Sequence, residues 1–395
     1  MKQKAIIILL LMSISSCCNN PNTSSHFGNC TEIAITPPLA LTIEELVADY
    51  DTIRLEASDK SLITGILQIH SMNDKLYITD SSLSVIFIFS KQGKYLSKIS
   101  NQGSGPKEYI RIGSFETDEA NNRLLLTDSF SKRLFEYDEN GKLLKVIPLS
   151  FIPNLIASDK SKRYIHVNST SKDKNDRKDI LNNNIHIINE KGEVTETFLK
   201  DATPNRIDIR TACATSYTED KELLYMPILS NTIFRIHNSE AIPEYSFKNL
   251  SGRKTVTAQE KKELYFEYND NNIEQAEKDG YLISCGSFLS SDSLVFLDLG
   301  WNTLLYTYYS KTNNASITIN PNNLQGNKGL CETFSAHPKA IEDNSLYISI
   351  PVEQAAYVLP LLPTGNKLRF FFENTNENDN PYIISYQLNT KLFSN

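Results

Sequence analysis

A block of strand-like runs returns in the same order after 48 residues, and this repeat constrains the fold more than any other feature. Leu76-Tyr77-Ile78-Thr79-Asp80-Ser81 is followed by Val85-Ile86-Phe87-Ile88-Phe89, then Lys91-Gln92-Gly93-Lys94, then Tyr95-Leu96-Ser97-Lys98-Ile99. Leu124-Leu125-Leu126-Thr127-Asp128-Ser129 opens the second copy, continued by Arg133 to Tyr137, Glu139-Asn140-Gly141-Lys142 and Leu143 to Ile147. Asp80, Phe87 and Gly93 map onto Asp128, Phe135 and Gly141 at one offset, without a gap. Several short strands per unit, at a period near fifty residues, are what the blades of a β-propeller produce. The glycine suits a hairpin turn that needs a positive φ.

Fainter copies follow. Arg163 to Val167 with Asn184 to Asn189 and Glu190-Lys191-Gly192-Glu193 make a third unit, its hairpin lengthened by the polar stretch Ser171 to Asp179. Leu223 to Met226 with Thr232 to His237 make a fourth, and Ser293 to Leu299 with Thr303 to Tyr309 a fifth. Ser345 to Ile350 with Ala356 to Leu359 make a sixth. Closing a ring requires strands from both chain ends to share a blade, and Asp51 to Leu55 and Pro381 to Tyr386 are apolar enough to do so. Thr257-Ala258-Gln259-Glu260 has capping-box spacing, with Leu264, Tyr265 and Tyr268 on one helical face behind it, and predicts a helix inserted between blades four and five. The expected fold is therefore all-β: a six-bladed β-propeller with four-stranded antiparallel blades and one short inserted helix. Seven blades is the rival, because the weak middle region is able to hide a unit.

The chain start reads differently. Lys2 and Lys4, an apolar run from Ala5 to Met12, and small residues up to Cys17 form a secretory signal, too short to span a membrane as a helix. Ile14-Ser15-Ser16-Cys17 resembles the bacterial lipobox, which implies cleavage before Cys17 and a lipid on its thiol; Cys18 is the weaker rival. Asn19 to Asn29 is polar and turn-rich and reads as a tether. The organisation expected is a signal at 1–16, tether and lead-in at 17–45, and the propeller at 46–395. No acidic cluster follows Cys17, which favours an outer-membrane position facing the periplasm. The formal charge of −7 argues against a nucleic-acid partner, since neutralising phosphates needs an excess of Lys and Arg.

Ile63-Thr64-Gly65-Ile66 through Asp80, Gly103-Ser104-Gly105-Pro106-Lys107-Glu108-Tyr109, Asp128 to Gly141, and Glu377-Asn378-Asp379-Asn380-Pro381-Tyr382 before a final strand together carry a resemblance. So do Thr232-Ile233-Phe234-Arg235 and Pro243-Glu244-Tyr245. The chain resembles the six-bladed β-propeller lipoproteins of Gram-negative bacteria related to NHL repeats. That resemblance spans about residues 45 to 390 and implies an architecture more than a reaction.

Candidate chemistry is sparse. Asp80 and Asp128 end apolar strands, where a carboxylate usually accepts backbone N–H bonds in the following turn. Gly103-Ser104-Gly105-Pro106 lacks the Lys-Ser or Lys-Thr of a phosphate-binding loop. It is expected to cross one end of the ring, so that Gly105, Glu108, Tyr109 and Arg111 form a ligand face, although Tyr109 is equally suited to plugging the channel. Arg206 and Arg210 are able to clamp a carboxylate or sulfate, against the plainer reading of salt bridges on the rim. No C-x-x-C, H-x-x-x-H or G-x-S-x-G pattern occurs, so no metal, cofactor or catalytic set is assigned. Cys213, Cys285 and Cys331 each precede an apolar strand, which leaves open a disulfide or three inert small hydrophobes.

Two functions follow. The favoured one is a lipid-anchored binding or scaffolding protein, touching the membrane only through its lipid, whose propeller face holds a protein, peptide or glycan. The alternative, implied by related propellers, is a calcium-dependent hydrolase or lyase with its ion in the channel. Such a site needs several oxygen ligands, for which Glu116, Asp118 and Glu332 are the candidates, though Glu116-Thr117-Asp118 also reads as an ordinary strand exit.

Overall fold

The repeating runs have no polar side to offer solvent, and the structure buries them on both faces. In this computed structural model, residues 30–394 are described apart from 162–163, 168–179, 181, 201–213, 228, 257–269 and 301, with backbone alone at 166, 167, 270–273, 285 and 286. After β1 (Thr31–Ile35), α1 (Ile43–Leu46) and β2 (Val47–Ile53), blade one is built from β3 (Ile66–Met72), β4 (Lys75–Asp80), β5 (Ile86–Ser90) and β6 (Tyr95–Ile99). Blade two is β7 (Ser114–Asp118), β8 (Arg123–Asp128), β9 (Arg133–Asp138) and β10 (Leu143–Pro148). In both, the second strand is buried along almost its whole length, which a half-exposed sheet with alternating side chains never shows.

Blade three is β11 (Leu155–Ser158), β12 (Tyr164–Val167), β13 (Asn183–Ile188) and β14 (Val194–Lys200). Blade four is β15 (Thr215–Tyr217), β16 (Leu223–Tyr225), β17 (Thr232–His237) and β18 (Glu240–Asn249). A short bridge of β19 (Lys254–Thr255) with β20 (Tyr281–Leu282) brackets α2 (Asp270–Lys278). Blade five is β21 (Ser284–Ser290), β22 (Leu294–Leu299), β23 (Leu305–Ser310) and β24 (Ala315–Ile319), followed by α3 (Lys328–Phe334). Blade six takes β25 (Ala340–Glu342) and β26 (Ser345–Ile350), then α4 (Val352–Val358) and α5 (Lys367–Phe372), and finally β27 (Tyr382–Leu388). Six apolar clusters fill the six spaces between neighbouring blades.

The ring closes as the two chain ends suggest: β2 pairs antiparallel with β27, with Thr52 opposite Ile384. Asn380 latches that closure. It accepts from the Ile63 amide at 2.8 Å and donates to the carbonyls of Glu56 and Ser61 at 3.0 and 2.8 Å. Arg54 lies between the Phe371 and Tyr382 rings, 5.3 and 5.1 Å from their centroids, and pairs with Asp379 at 2.9 Å.

Two expectations change, and a third falls outside the described residues. Ala356 to Leu359 is not a strand but the end of α4 with its C-cap, Leu359, and its place in the blade is taken by β27. Pro351 stands directly before α4, where a missing N–H costs nothing, and Asn366 caps α5 by accepting from the Leu368 amide. The helix expected from Thr257 to Tyr268 falls outside the described residues; α2 follows from Asp270, and the described residues also hold α1, α3, α4 and α5. The helices α3, α4 and α5 roof the apolar cluster between blades five and six. The propeller also takes in residues read as lead-in, since β1 lies parallel to β18 as a fifth strand of blade four, Thr31 opposite Tyr245. Among the described residues no helix is long and apolar enough to cross a membrane.

The hairpin glycines matter for blade contact as well as for the turn. Gly93 has φ +85°, and a Cβ there would sit 2.1 Å from the Arg54 carbonyl oxygen of the neighbouring blade. Gly365 has a similar φ of +82° with nothing within 4 Å of such a Cβ. Gly365→Ala should therefore lose only the left-handed backbone preference, about 1–2 kcal/mol. Gly93→Ala should lower the urea midpoint distinctly further, because two backbones must separate. Equal losses would show that blade contact does not hold this turn.

Candidate functional site

Six sheets packed around one axis bring their first strands together. β3, β7, β11, β15, β21 and β25 enclose a cavity of about 270 Å³, to which the blades contribute His70, Glu116, Ser158, Thr215, Ser290 and Ile341 in turn. The lining lies toward the ends of these strands and the turns that follow, such as Glu116 to Ala120 on blade two and Leu289 to Asp292 on blade five.

Glu116 is buried in this wall. Thr215 Oγ1 donates to its Oε1 at 2.9 Å, while Oε2 accepts no hydrogen bond among the described residues and lies 3.9 Å from His70 Nδ1. Burial pushes the Glu116 carboxyl up to about 8, against a smaller opposite pull from Thr215. Burial likewise pushes His70 down to about 4, its ring standing edge-on to Phe115 at 5.4 Å. Desolvation disfavours the charged form of each, and one contact near 4 Å is too weak to reverse it. At neutral pH the pair is an uncharged acid beside an uncharged imidazole.

Among the described residues, two hydroxyls in the same wall have no hydrogen-bond partner: Ser158 Oγ, on a residue only 1% exposed, and Tyr217 Oη. Burial raises the Tyr217 phenol well above its ordinary value; the Ser158 amide favours the phenolate slightly but makes no hydrogen bond of normal geometry with it. Buried polar groups are nearly always paired, so two orphans side by side in one cavity need explaining. Asp118, by contrast, is committed. It pairs with the buried Arg123, which also reaches Glu136 at 3.1 Å and lies 4.9 Å over the Tyr164 ring, while Tyr164 donates to Glu136 at 2.6 Å.

The residues singled out from sequence fall elsewhere. Asp80 and Asp128 do the turn work expected of them, accepting from the amides of Ser82 and Phe130 at 2.8 and 3.0 Å. They also tie in the preceding loops through the amides of Thr64 and Ile110 at 2.7 and 2.9 Å. The loop holding Gly105, Glu108, Tyr109 and Arg111 precedes β7, whereas the cavity begins only at Glu116. Tyr109 neither faces the channel nor plugs it. It is fully buried between blades one and two, donating to the Ser84 carbonyl at 2.7 Å. Glu108 folds back to accept from the Gly105 amide at 2.8 Å, Arg133 holds the Gly105 carbonyl at 2.9 Å, and Arg111 is exposed. Cys17, Arg206, Arg210 and Cys213 lie outside the described residues, and the Cys285 side chain is likewise not described. Cys331 is a free thiol on α3. Of the three metal candidates, Glu116 and Asp118 reach the cavity but Glu332 rides on α3, and no three such ligands converge among the described residues.

A model for a domain of unknown function, DUF4934, matches residues 31–387. The chain belongs to this family. Its start coincides with β1, so the DUF4934 unit is the whole ring. A protein of Bacteroides fragilis named for its expected export is similar in structure, with 16% identity, a TM-score of 0.73, and coverage of 91% of this chain and 100% of that one. A DUF4221 member from Bacteroides vulgatus is similar at 13% identity and TM-score 0.50, covering 87% of this chain and 98% of that one. At such identities the likeness is one of fold. No curated protein matches the chain.

Burial of Glu116 and His70 leaves opposite marks on stability. Glu116 keeps its proton up to about 8 in the fold but loses it near 4.5 when unfolded, so stability falls as pH rises across that interval. His70 resists protonation down to about 4 against 6.5 unfolded, so its share rises with pH between those values. The two oppose each other at mildly acidic pH, and above about pH 6.5 only the Glu116 decline remains. The urea midpoint of the purified protein should drop between about pH 6.5 and 8, and Glu116→Gln should flatten that drop. An unchanged slope in the variant would show that Glu116 is already ionised.

Proposed function

We propose that this DUF4934 protein is an exported, lipid-anchored binding protein of the cell envelope whose propeller channel holds a compact polar ligand, either free or as part of a peptide or glycan. The observation that carries the reading is the cavity at the meeting of six inner strands, walled by a neutral buried carboxyl and two unpaired hydroxyls. Concave sites with a few convergent polar groups are where ligands bind, and hydroxyls left without partners gain most from one that supplies them. The chemistry of the wall suits recognition rather than turnover: a protonated acid donates, Thr215 is already engaged, and Asp118 is locked into its pair with Arg123.

Export is supported by the signal-like start and by the similar B. fragilis protein named for its expected export. Lipidation at Cys17 rests on the lipobox-like Ile14-Ser15-Ser16-Cys17, and the periplasm-facing outer-membrane position on the lack of an acidic cluster after it.

Two experiments test the reading. The full chain, purified in detergent, should be stabilised in a thermal-shift screen by members of a panel of small peptides and mono- and oligosaccharides, and Thr215→Val should weaken those hits. A panel without a single saturable hit would sink the channel as a binding site. Separately, Cys17→Ala should move the protein from the membrane fraction to the soluble periplasmic one; unchanged fractionation would count against a lipid on Cys17.

A further inference from the structure

The cavity and its mouth carry an excess of acid. Glu116, Asp118, Glu119, Asp292, Glu342 and Asp343 line it, against Lys221 and Lys339. Lys221 is taken up by Glu119 at 2.5 Å, and Lys339 reaches the Leu67 carbonyl at 3.5 Å. Glu342 is met from outside by Lys91 at 2.6 Å and Asp118 by Arg123. Asp292 acts on the Lys311 ammonium without a close ion pair among the described residues, and both Asp292 and Asp343 line the mouth. An anion entering here meets a negative mouth, and a cation an attractive one.

Acidity alone does not make a site, but the wall adds a second observation. Among the described residues, Ser158 is almost fully buried with its hydroxyl unpaired, the Tyr217 hydroxyl is unpaired beside it, and Glu116 keeps Oε2 without a hydrogen bond. From the other elements packed around Glu116, its neighbours are the imidazole of His70, the hydroxyl of Thr215 and the phenol of Tyr217. The wall therefore offers hydroxyl partners and one carboxyl without a resident cation, in a space of about 270 Å³.

We propose, building on the channel reading above, that the cavity takes an amino sugar, a compact polyhydroxyl molecule whose single primary ammonium binds at Glu116 Oε2 and whose hydroxyls pair with Ser158 and Tyr217. The bound state is carboxylate against ammonium. The sugar amine keeps its three protons, and the proton leaving the Glu116 carboxyl passes to the buffer. Below the pH at which the empty site ionises, about 8, one proton is released for each ligand bound. Charge-assisted bonds of this kind are about twice as strong as neutral ones.

The test uses the full chain in detergent and two probes of nearly equal shape, glucosamine and glucose, titrated calorimetrically at about pH 6 in buffers of different ionisation enthalpy. Glucosamine should bind at least about tenfold tighter than glucose and release close to one proton. Glu116→Gln mimics the protonated carboxyl and should keep the fold; it should abolish proton release and bring glucosamine down to the glucose level. Equal binding of the two sugars, proton release that survives in Glu116→Gln, or no saturable heat with glucosamine would each overturn the proposal. If glucosamine fails while neutral sugars or peptides of the wider panel still bind, only this inference falls. If nothing in the panel binds, the channel reading falls with it.

Discussion

Face-to-face packing of successive sheets is the interaction on which everything else depends. A four-stranded sheet of this composition is apolar on both sides, so no blade is stable without a neighbour on each. The clusters between blades are correspondingly aromatic: Tyr109 meets Phe135 edge-on at 6.0 Å, and Tyr77 lies 6.3 Å from Phe115 in the same interface. A ring gives every blade two neighbours, but only if its last gap is closed. Here β2 supplies the outermost strand of blade six, and Asn380 and Arg54 fasten the seam from either side. The seam joins residues more than three hundred positions apart, so forming it carries the chain's largest loop-closure entropy.

The same geometry makes the site. Six first strands must converge on the axis, and whatever side chains they carry there share a cavity of about 270 Å³. Glu116 and Asp118 stand two residues apart on β7 and meet this condition differently. Asp118 has Arg123 and an Asn121 amide at 2.9 Å, so its charge is compensated. Glu116 has one hydroxyl and a distant imidazole, and burial wins: its carboxyl holds a proton to about 8. Removing an ion from water costs more than one long contact returns.

Much of the ring was legible from sequence because local rules govern it. The apolar runs of the first two blades, their glycine turns and the strand-ending Asp80 and Asp128 lie where pattern and turn chemistry put them. The pairing of the chain ends also followed from two apolar runs and the need to close a ring. Ala356 to Leu359 misled because a short apolar run fits strand and helix alike, and the deciding features were the Pro351 before it and the long return to Tyr382. Tyr109 misled for a related reason. A tyrosine after a glycine-rich loop is as well suited to a blade interface as to a channel, and its hydroxyl finds the Ser84 carbonyl only when blade two folds against blade one.

By itself, the sequence determined that this chain folds into stacked antiparallel sheets, where their turns fall and how the ring joins, since periodicity, turn residues and apolar runs act over a few neighbouring positions. Only the tertiary structure decided which residues share the axis. His70, Glu116, Ser158, Thr215 and Tyr217 come from four different blades, and nothing local marks one polar residue on an inner strand as facing another across the channel. Their protonation states and unpaired hydroxyls are products of that convergence, because desolvation is set by the neighbours the fold assembles, not by the residues beside them in the chain.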